Sequence, residues 1–253
     1  MSRSIWTACA GSSSFERLTL TAWRSVESQT VTSTRKLVDS DEEQILLEEL
    51  IEGIKPSWPR DPEMRRLHFL LATPFRYPPL PHGSRFGTRF ERGIWYGSRE
   101  LRAAFAEVAY YRLVFLDGPE ADLGPLSVEL SIFQAAIATD RGVDLTKGRF
   151  AAHAARISSP TRYAAAQRLG REMRDADVAA FLYSSARDPE RGTNVGLFRP
   201  VFSRRRPTVP QSWICTASRA RVELRKKDVF RPARLAFARE LFEVDGVLPT
   251  PAV

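Results

Sequence analysis

Histidine and cysteine are scarce in these 253 residues, with three of the first and two of the second. His68, His82 and His153 have no carboxylate or second histidine at a helical spacing suited to a metal, so no metal centre is expected. Cys9 and Cys215 lie far apart without ligand spacing and read as two reduced thiols of a cytoplasmic protein. No apolar run approaches the roughly 18 residues of a membrane-crossing helix. The N-terminus has small residues but no continuous apolar stretch, which argues against a signal peptide. There is no GxxxxGK[ST], and no GxGxxG between strand and helix, so P-loop and Rossmann nucleotide cradles lack support. GSRFG and YGSRE do not supply the G-x-S-x-G elbow of a serine hydrolase. Internal repeats are absent too.

Positive charge is present in excess. Lys and Arg number 38 against 30 Asp and Glu, a net +8 supplied mostly by arginine. Such a surface can meet nucleic acid, an acidic protein or a small anionic substrate. Arg204, Arg205 and Arg206, and Arg225, Lys226 and Lys227, form clusters with no aromatic ladder between them. A single-strand binder would want that ladder, so these clusters read as solvated or partner-facing charge.

Hydrophobic periodicity divides the chain into an N-terminal extension, residues 1–60, and a main domain, residues 61–253. Residues 1–36, rich in Ser and Thr, suggest a poorly ordered or loosely docked arm. An amphipathic helix follows over 39–56. Ser40 and Glu43 make its capping box, Leu46, Leu47, Leu50, Ile51 and Ile54 its apolar stripe, and Pro56 its stop. Its acidic face suits docking on the basic remainder or a partner's surface. Residues 57–62 read as a linker. Strands are expected at 67–75, 93–96, 113–116, about 127–134, 178–184, 193–198, 212–217 and 220–225. Helices are expected over 98–112, capped by Ser98, from Ser159-Pro160 to about 176, and over 232–243. The irregular alternation indicates an α+β fold, a mixed twisted sheet with flanking helices.

One stretch concentrates chemistry. A Pro- and Gly-rich loop (76–93) is long for a plain connection and carries Arg76, Arg85 and Arg89. It feeds a strand ending in Tyr96, and the next helix places Glu107 a turn beyond Ala103 and Ala104, away from the Leu101, Phe105 and Val108 stripe. Small upstream neighbours leave room beside that carboxylate. An aromatic face, one acid and several guanidinium groups suit an anionic diphosphate bearing a glycosidic bond to a flat base. The acid would hold ribose hydroxyls and face an oxocarbenium-like transition state.

Residues 73–112, TPFRYPPLPHGSRFGTRFERGIWYGSRELRAAFAEVAYYR, resemble the core of the RES-domain family, named for its Arg, Glu and Ser. Arg85 through Phe90 match the family's Gly-rich loop, Tyr96 its strand-end tyrosine and Glu107 its helix acid. The likeness extends through 163–170 and 181–200, covering roughly residues 65–205. It departs at Thr88, which replaces a glycine, and at Phe90, which replaces a tryptophan. The family serine falls on Ser185 by substitution, since counting from the acid ends near Ala164. Arg76 is the nearest candidate for the family's first arginine.

The resemblance implies an ADP-ribosyltransferase-like fold and a toxin of a bacterial toxin–antitoxin pair that degrades NAD+, with phosphate or water as acceptor. An Xre-type helix-turn-helix antitoxin would hold it inactive, and DNA would be met only through that antitoxin. On this pattern Glu107, Tyr96 and Arg76 are catalytic, while Arg89, Arg85 and Ser185 bind NAD+. Two other readings stay open: ADP-ribose transfer to a protein, and a non-enzymatic basic module that binds nucleic acid or an acidic partner.

Overall fold

Eight strands form one mixed sheet in the computed structural model, which describes residues 4–28, 37–58, 62–121 and 123–250. They are β1 (Glu16–Glu27), β2 (Trp95–Ser98), β3 (Leu126–Asp144), β4 (Ala180–Ser184), β5 (Thr193–Leu197), β6 (Gln211–Ala217), β7 (Arg221–Lys226) and β8 (Arg234–Ala238). The helices are α1 (Ile5–Ala8), α2 (Asp41–Ile54), α3 (Pro62–Arg66), α4 (Phe69–Arg76), α5 (Leu101–Asp117), α6 (Gly148–Ala151), α7 (Ala154–Ile157) and α8 (Ala164–Asp175). The α+β reading, a mixed sheet with helices around it, is what the chain adopts.

β3 organises the sheet because its buried side chains change face part-way along. Leu130 and Ile132 point to one side, and Phe133, Ala135 and Ile137, of opposite parity, to the other. The first pair packs with Trp213, Phe105, Tyr110 and Leu113 in a core between α5 and strands β6 to β8. The second group packs with Leu71, Trp95, Leu182 and Val195 in a separate core, capped by α4. A third core joins α1 and α8 to Phe86, Phe181 and Tyr183.

The strand order is β1-β2-β5-β4-β3-β6-β7-β8, and β1 also pairs with β3. Strands β1, β2, β5, β4 and β3 therefore close into a ring, with β3–β4 parallel and its other pairings antiparallel. Closure is uneven. β1 runs along β3 from Glu27↔Leu130 to Glu16↔Gly142, but meets β2 only at Trp23↔Ser98.

Several sequence expectations are corrected. The run at 67–75 is not a strand but helix α4, where the His68 Nδ1 accepts the Leu70 N–H at 3.3 Å as an N-cap. A short apolar run has no period that separates helix from strand, and here the cap and burial of one face decide. Residues 113–116 are the last turns of α5, not a strand. The expected C-terminal helix is strand β8 followed by a single 3-10 turn, Arg239–Leu241. Ser98 does not cap α5; it lies buried in β2, and Glu100 takes the N-cap position. Helix α8 starts at Ala164, because Ser159 accepts the N–H groups of Thr161 and Arg162 in a preceding turn.

The N-terminal arm is likewise not loose where it is described. β1 lies before residue 60 yet belongs to the main sheet, and Trp6 of α1 is buried. Residues 1–3, 29–36 and 59–61, part of the arm and of the linker, fall outside the described residues. Helix α2 forms with both halves of its Ser40–Glu43 capping box, but none of its residues is buried. Leu46, Leu50 and Ile54 of its stripe are exposed. Its Glu52 meets Arg76 of α4 at 2.9 Å.

Candidate active site

A cavity of about 720 Å³ opens where β1 and β2 part, walled by β1, β2, the loop after α4 and one face of α5. Glu107, Tyr96 and Arg85 all line it, as do Trp23, Arg24, Ser84, Tyr163, Tyr183 and Asn194. Small residues let α5 lie close to the sheet. Ala103, Ala106 and Ala109 are fully buried, and a Cβ on Gly192 would sit 2.9 Å from that of Ala103.

Glu107 is held from two directions. The Ser185 hydroxyl donates to its Oε1 at 2.9 Å, and the Asn194 amide donates to the same oxygen at 2.7 Å. Ser185 is itself fixed, accepting the N–H groups of Arg187 and Asp188 at 3.1 and 3.0 Å. Asn194 is fixed by Ser98, its cross-strand partner, whose hydroxyl reaches Oδ1 at 2.6 Å.

Tyr96 is an anchor for the arginine-bearing loop. Its hydroxyl bonds Ser84 at 3.0 Å and accepts the Phe86 N–H at 3.2 Å. Burial pushes this phenol up to about 12, so it stays neutral at physiological pH. Gly83, with φ +75°, turns the chain where a side chain would be strained, and the Gln167 amide donates to the carbonyls of His82 and Ser84 at 3.3 and 3.1 Å. Phe86 then fills the core while Arg85, its neighbour, turns to the cavity.

Of the arginines lining this cavity Arg112 pairs with Glu27, whereas Arg24 and Arg85, and Arg187 beside them, are not neutralised. Arg85 is buried, stacks 4.6 Å over the Tyr163 ring and donates to the Ser159 carbonyl at 2.6 Å. Arg187 lies behind the same tyrosine, 3.5 Å over the Tyr110 ring, donating to the Tyr163 hydroxyl at 3.3 Å while its Nη1 has no partner. Arg24 sends Nη1 to the Tyr96 carbonyl, and its buried Nε has no partner. Burial lowers this guanidinium to about 10, which still leaves it charged at neutral pH. None of the three makes an ion pair with a carboxylate among the described residues. Buried cations left in this way favour an anionic ligand.

Two sequence candidates lie elsewhere. Arg76 donates to Glu52 and to the Pro56 carbonyl, and stacks on Trp58; it does not line the cavity. Arg89 is exposed and lies over Phe90, also exposed. Sequence reasoning missed Arg24 and Asn194. The alternation in ERLTLTAWRSVE was a signal for the first, and an asparagine inside a strand, where that residue is disfavoured, was a signal for the second.

The family model of the RES domain matches residues 62–217, more than half of the chain. The chain belongs to the RES-domain family. Tyr96, Glu107, Ser185 and Asn194 fall inside the matched RES segment, whereas Arg24 reaches the same cavity from before it. No curated protein matches the chain. Among the described residues no group of three or more His, Cys, Asp or Glu could hold a metal ion, and no helix is long and apolar enough to cross a membrane.

Proposed function

We propose that this RES-domain protein consumes NAD+ by cleaving the bond between nicotinamide and ribose, with phosphate or water as acceptor. The observation that carries this reading is the meeting, in one cavity, of Glu107 with the guanidinium groups of Arg24 and Arg85, neither of which has a carboxylate partner. The cavity volume lies in the range of small-molecule and cofactor sites. Arg24 and Arg85 supply the fork geometry that binds phosphate oxygens. Trp23, Tyr96, Tyr163 and Tyr183 supply aromatic walls for a flat base.

In the proposed reaction the C1′–N1 bond breaks and its electron pair leaves with nicotinamide. Glu107 accepts hydrogen bonds from the ribose hydroxyls and faces the positive charge that develops at C1′. An oxygen of phosphate or water then adds to C1′, and water loses its proton to solvent. Tyr96, neutral and hydrogen-bonded to the loop, shapes the wall and holds Arg85 in reach. Ser185 positions the acid. The ADP-ribosyltransferase-like fold that the family resemblance implies is proposed with this chemistry.

The biological role proposed with it is a cytoplasmic toxin held inactive by an Xre-type helix-turn-helix antitoxin, through which alone DNA is met; the resemblance of the loop, tyrosine and acid to RES toxins supports it. Purified protein incubated with NAD+, with and without phosphate, should release nicotinamide. Failure of the wild type to do so, or equal release by Glu107→Gln, contradicts the enzymatic reading. Labelled ADP-ribose appearing on lysate proteins would move the acceptor to protein. Growth arrest on expression, relieved by a co-expressed helix-turn-helix neighbour, tests the toxin role.

A further inference from the structure

We infer that Asn194, oriented by Ser98, is a positioning residue that with Ser185 saturates Oε1 of Glu107 and reserves its Oε2 for the ligand. This refines the NAD+ reading of the cavity and rests on it for its catalytic meaning, though not for its geometry.

The argument is one of hydrogen-bond direction. Both protein bonds to Glu107 fall on Oε1, and among the described residues Oε2 accepts none. The Ser185 oxygen already accepts two backbone N–H groups, at 3.1 and 3.0 Å, so both its lone pairs are used and its own proton must point to Glu107. Asn194 has an analogous constraint. Its Oδ1 receives the Ser98 hydroxyl at 2.6 Å, which turns the Nδ2 donors towards Glu107 at 2.7 Å. Ser98 and Asn194 are 2% and 1% exposed and directly opposed in the β2–β5 ladder, so neither amide nor hydroxyl can turn to water instead.

An oxygen receiving two locked donors has no acceptor for a proton of its own. Oε1 is therefore a fixed point, and any hydrogen bond or charge that Glu107 offers to a ligand leaves through Oε2. The titratable groups in its field are Tyr110 and Tyr111 on the same helix and Tyr183 on β4. Burial holds the phenols of Tyr110 and Tyr183 neutral. Replacing Asn194 by aspartate keeps the shape and reverses the message, placing a second carboxylate against Oε1.

The test follows the Glu107 side-chain carboxyl by carbon-13 NMR on the full chain, assigned by its disappearance in Glu107→Gln, alongside nicotinamide release. Asn194→Asp should move the Glu107 carboxyl resonance at neutral pH, alter the pH profile of the rate and lower kcat about 100-fold. Ser98→Ala, which frees the Asn194 amide without adding charge, should lower kcat roughly tenfold. KM should stay within about threefold in both, because the arginines that hold the diphosphate are untouched. An unmoved Glu107 carboxyl resonance in Asn194→Asp, or wild-type kcat in a folded Ser98→Ala protein, overturns the inference. Should Asn194→Asp not fold, Ser98→Ala decides alone. A moved resonance without any wild-type turnover of NAD+ sinks the enzymatic reading and leaves the positioning role standing.

Discussion

Arg24 of β1 donates from Nη1 to the main-chain carbonyl of Tyr96 on β2, 2.5 Å away. The two strands share only one backbone pairing, Trp23↔Ser98, so this side chain spans the place where the ring is weakest. It also brings a charge to the cavity from outside the segment that matches the RES domain.

Arg24→Met is expected to weaken NAD+ binding tenfold or more while leaving the unfolding free energy within about 1 kcal/mol of wild type. The lost hydrogen bond and the relieved burial of charge act in opposite directions. The sign follows from Arg24's pKa, lowered by burial from its ordinary value to about 10: burial of the charge costs stability at every pH below about 10, and that cost fades only as pH rises beyond it. Chemical denaturation and calorimetric titration measure the two effects. NAD+ at about 100 times its Kd should stabilise the wild type by about 2.7 kcal/mol, and the variant by much less at the same concentration.

Glu107→Gln should reduce nicotinamide release by about 100-fold or more, on the scale of removing one charge from an electrostatically organised site. Gln keeps the shape, so circular dichroism and the melting temperature should stay close to wild type. Retained turnover in a folded variant excludes the carboxylate from the chemistry.

Arg76→Ala is expected to leave nicotinamide release within about twofold of wild type. Its guanidinium is committed to Glu52, Pro56 and Trp58, outside the cavity. The Glu52 carboxylate is solvent-accessible, so screening leaves the ion pair little weight in stability. Proteolysis within α2 should become faster in the variant, since the helix loses a tether. A large fall in turnover would return Arg76 to the site.

Stability should fall on the alkaline side. Tyr96 and Tyr110 are pushed up to about 12 by burial, above the value near 10 of an open chain. The stability they contribute is complete below about pH 10 and lost as pH rises through about 12. The part of the tyrosinate absorbance lost in Tyr96→Phe should therefore appear together with unfolding rather than before it. Tyr96→Phe should flatten the slope, and Arg24→Met should steepen it, because the arginine acts with opposite sign over the same window.

The sequence made the site's centre legible and its rim illegible. Tyr96 and Glu107 stand on a strand and the next helix, so their meeting follows from local spacing alone. Ser185 reaches Glu107 across 78 residues, and the family pattern, whose count ends near Ala164, gave it only by substitution. Arg24 was hidden because a Ser- and Thr-rich arm looked unstructured, although threonine in alternation is a strand former. Arg76 misled for the converse reason: with FLLATPFR taken as a strand, its last residue appeared to exit towards the loop. In the helix, its side chain turns to α2 instead. Strand β8 was obscured in the same way, since RLAFA alternates over too few residues to stand against a helical reading.

The ring is sealed at one seam by a lone backbone bridge and a guanidinium, and that seam is also the mouth of the cavity. Shape retention and ligand capture thus draw on the same guanidinium and the carbonyl it grips. A ligand that drew Arg24 off that carbonyl would leave β1 and β2 joined there by the Trp23↔Ser98 bridge alone.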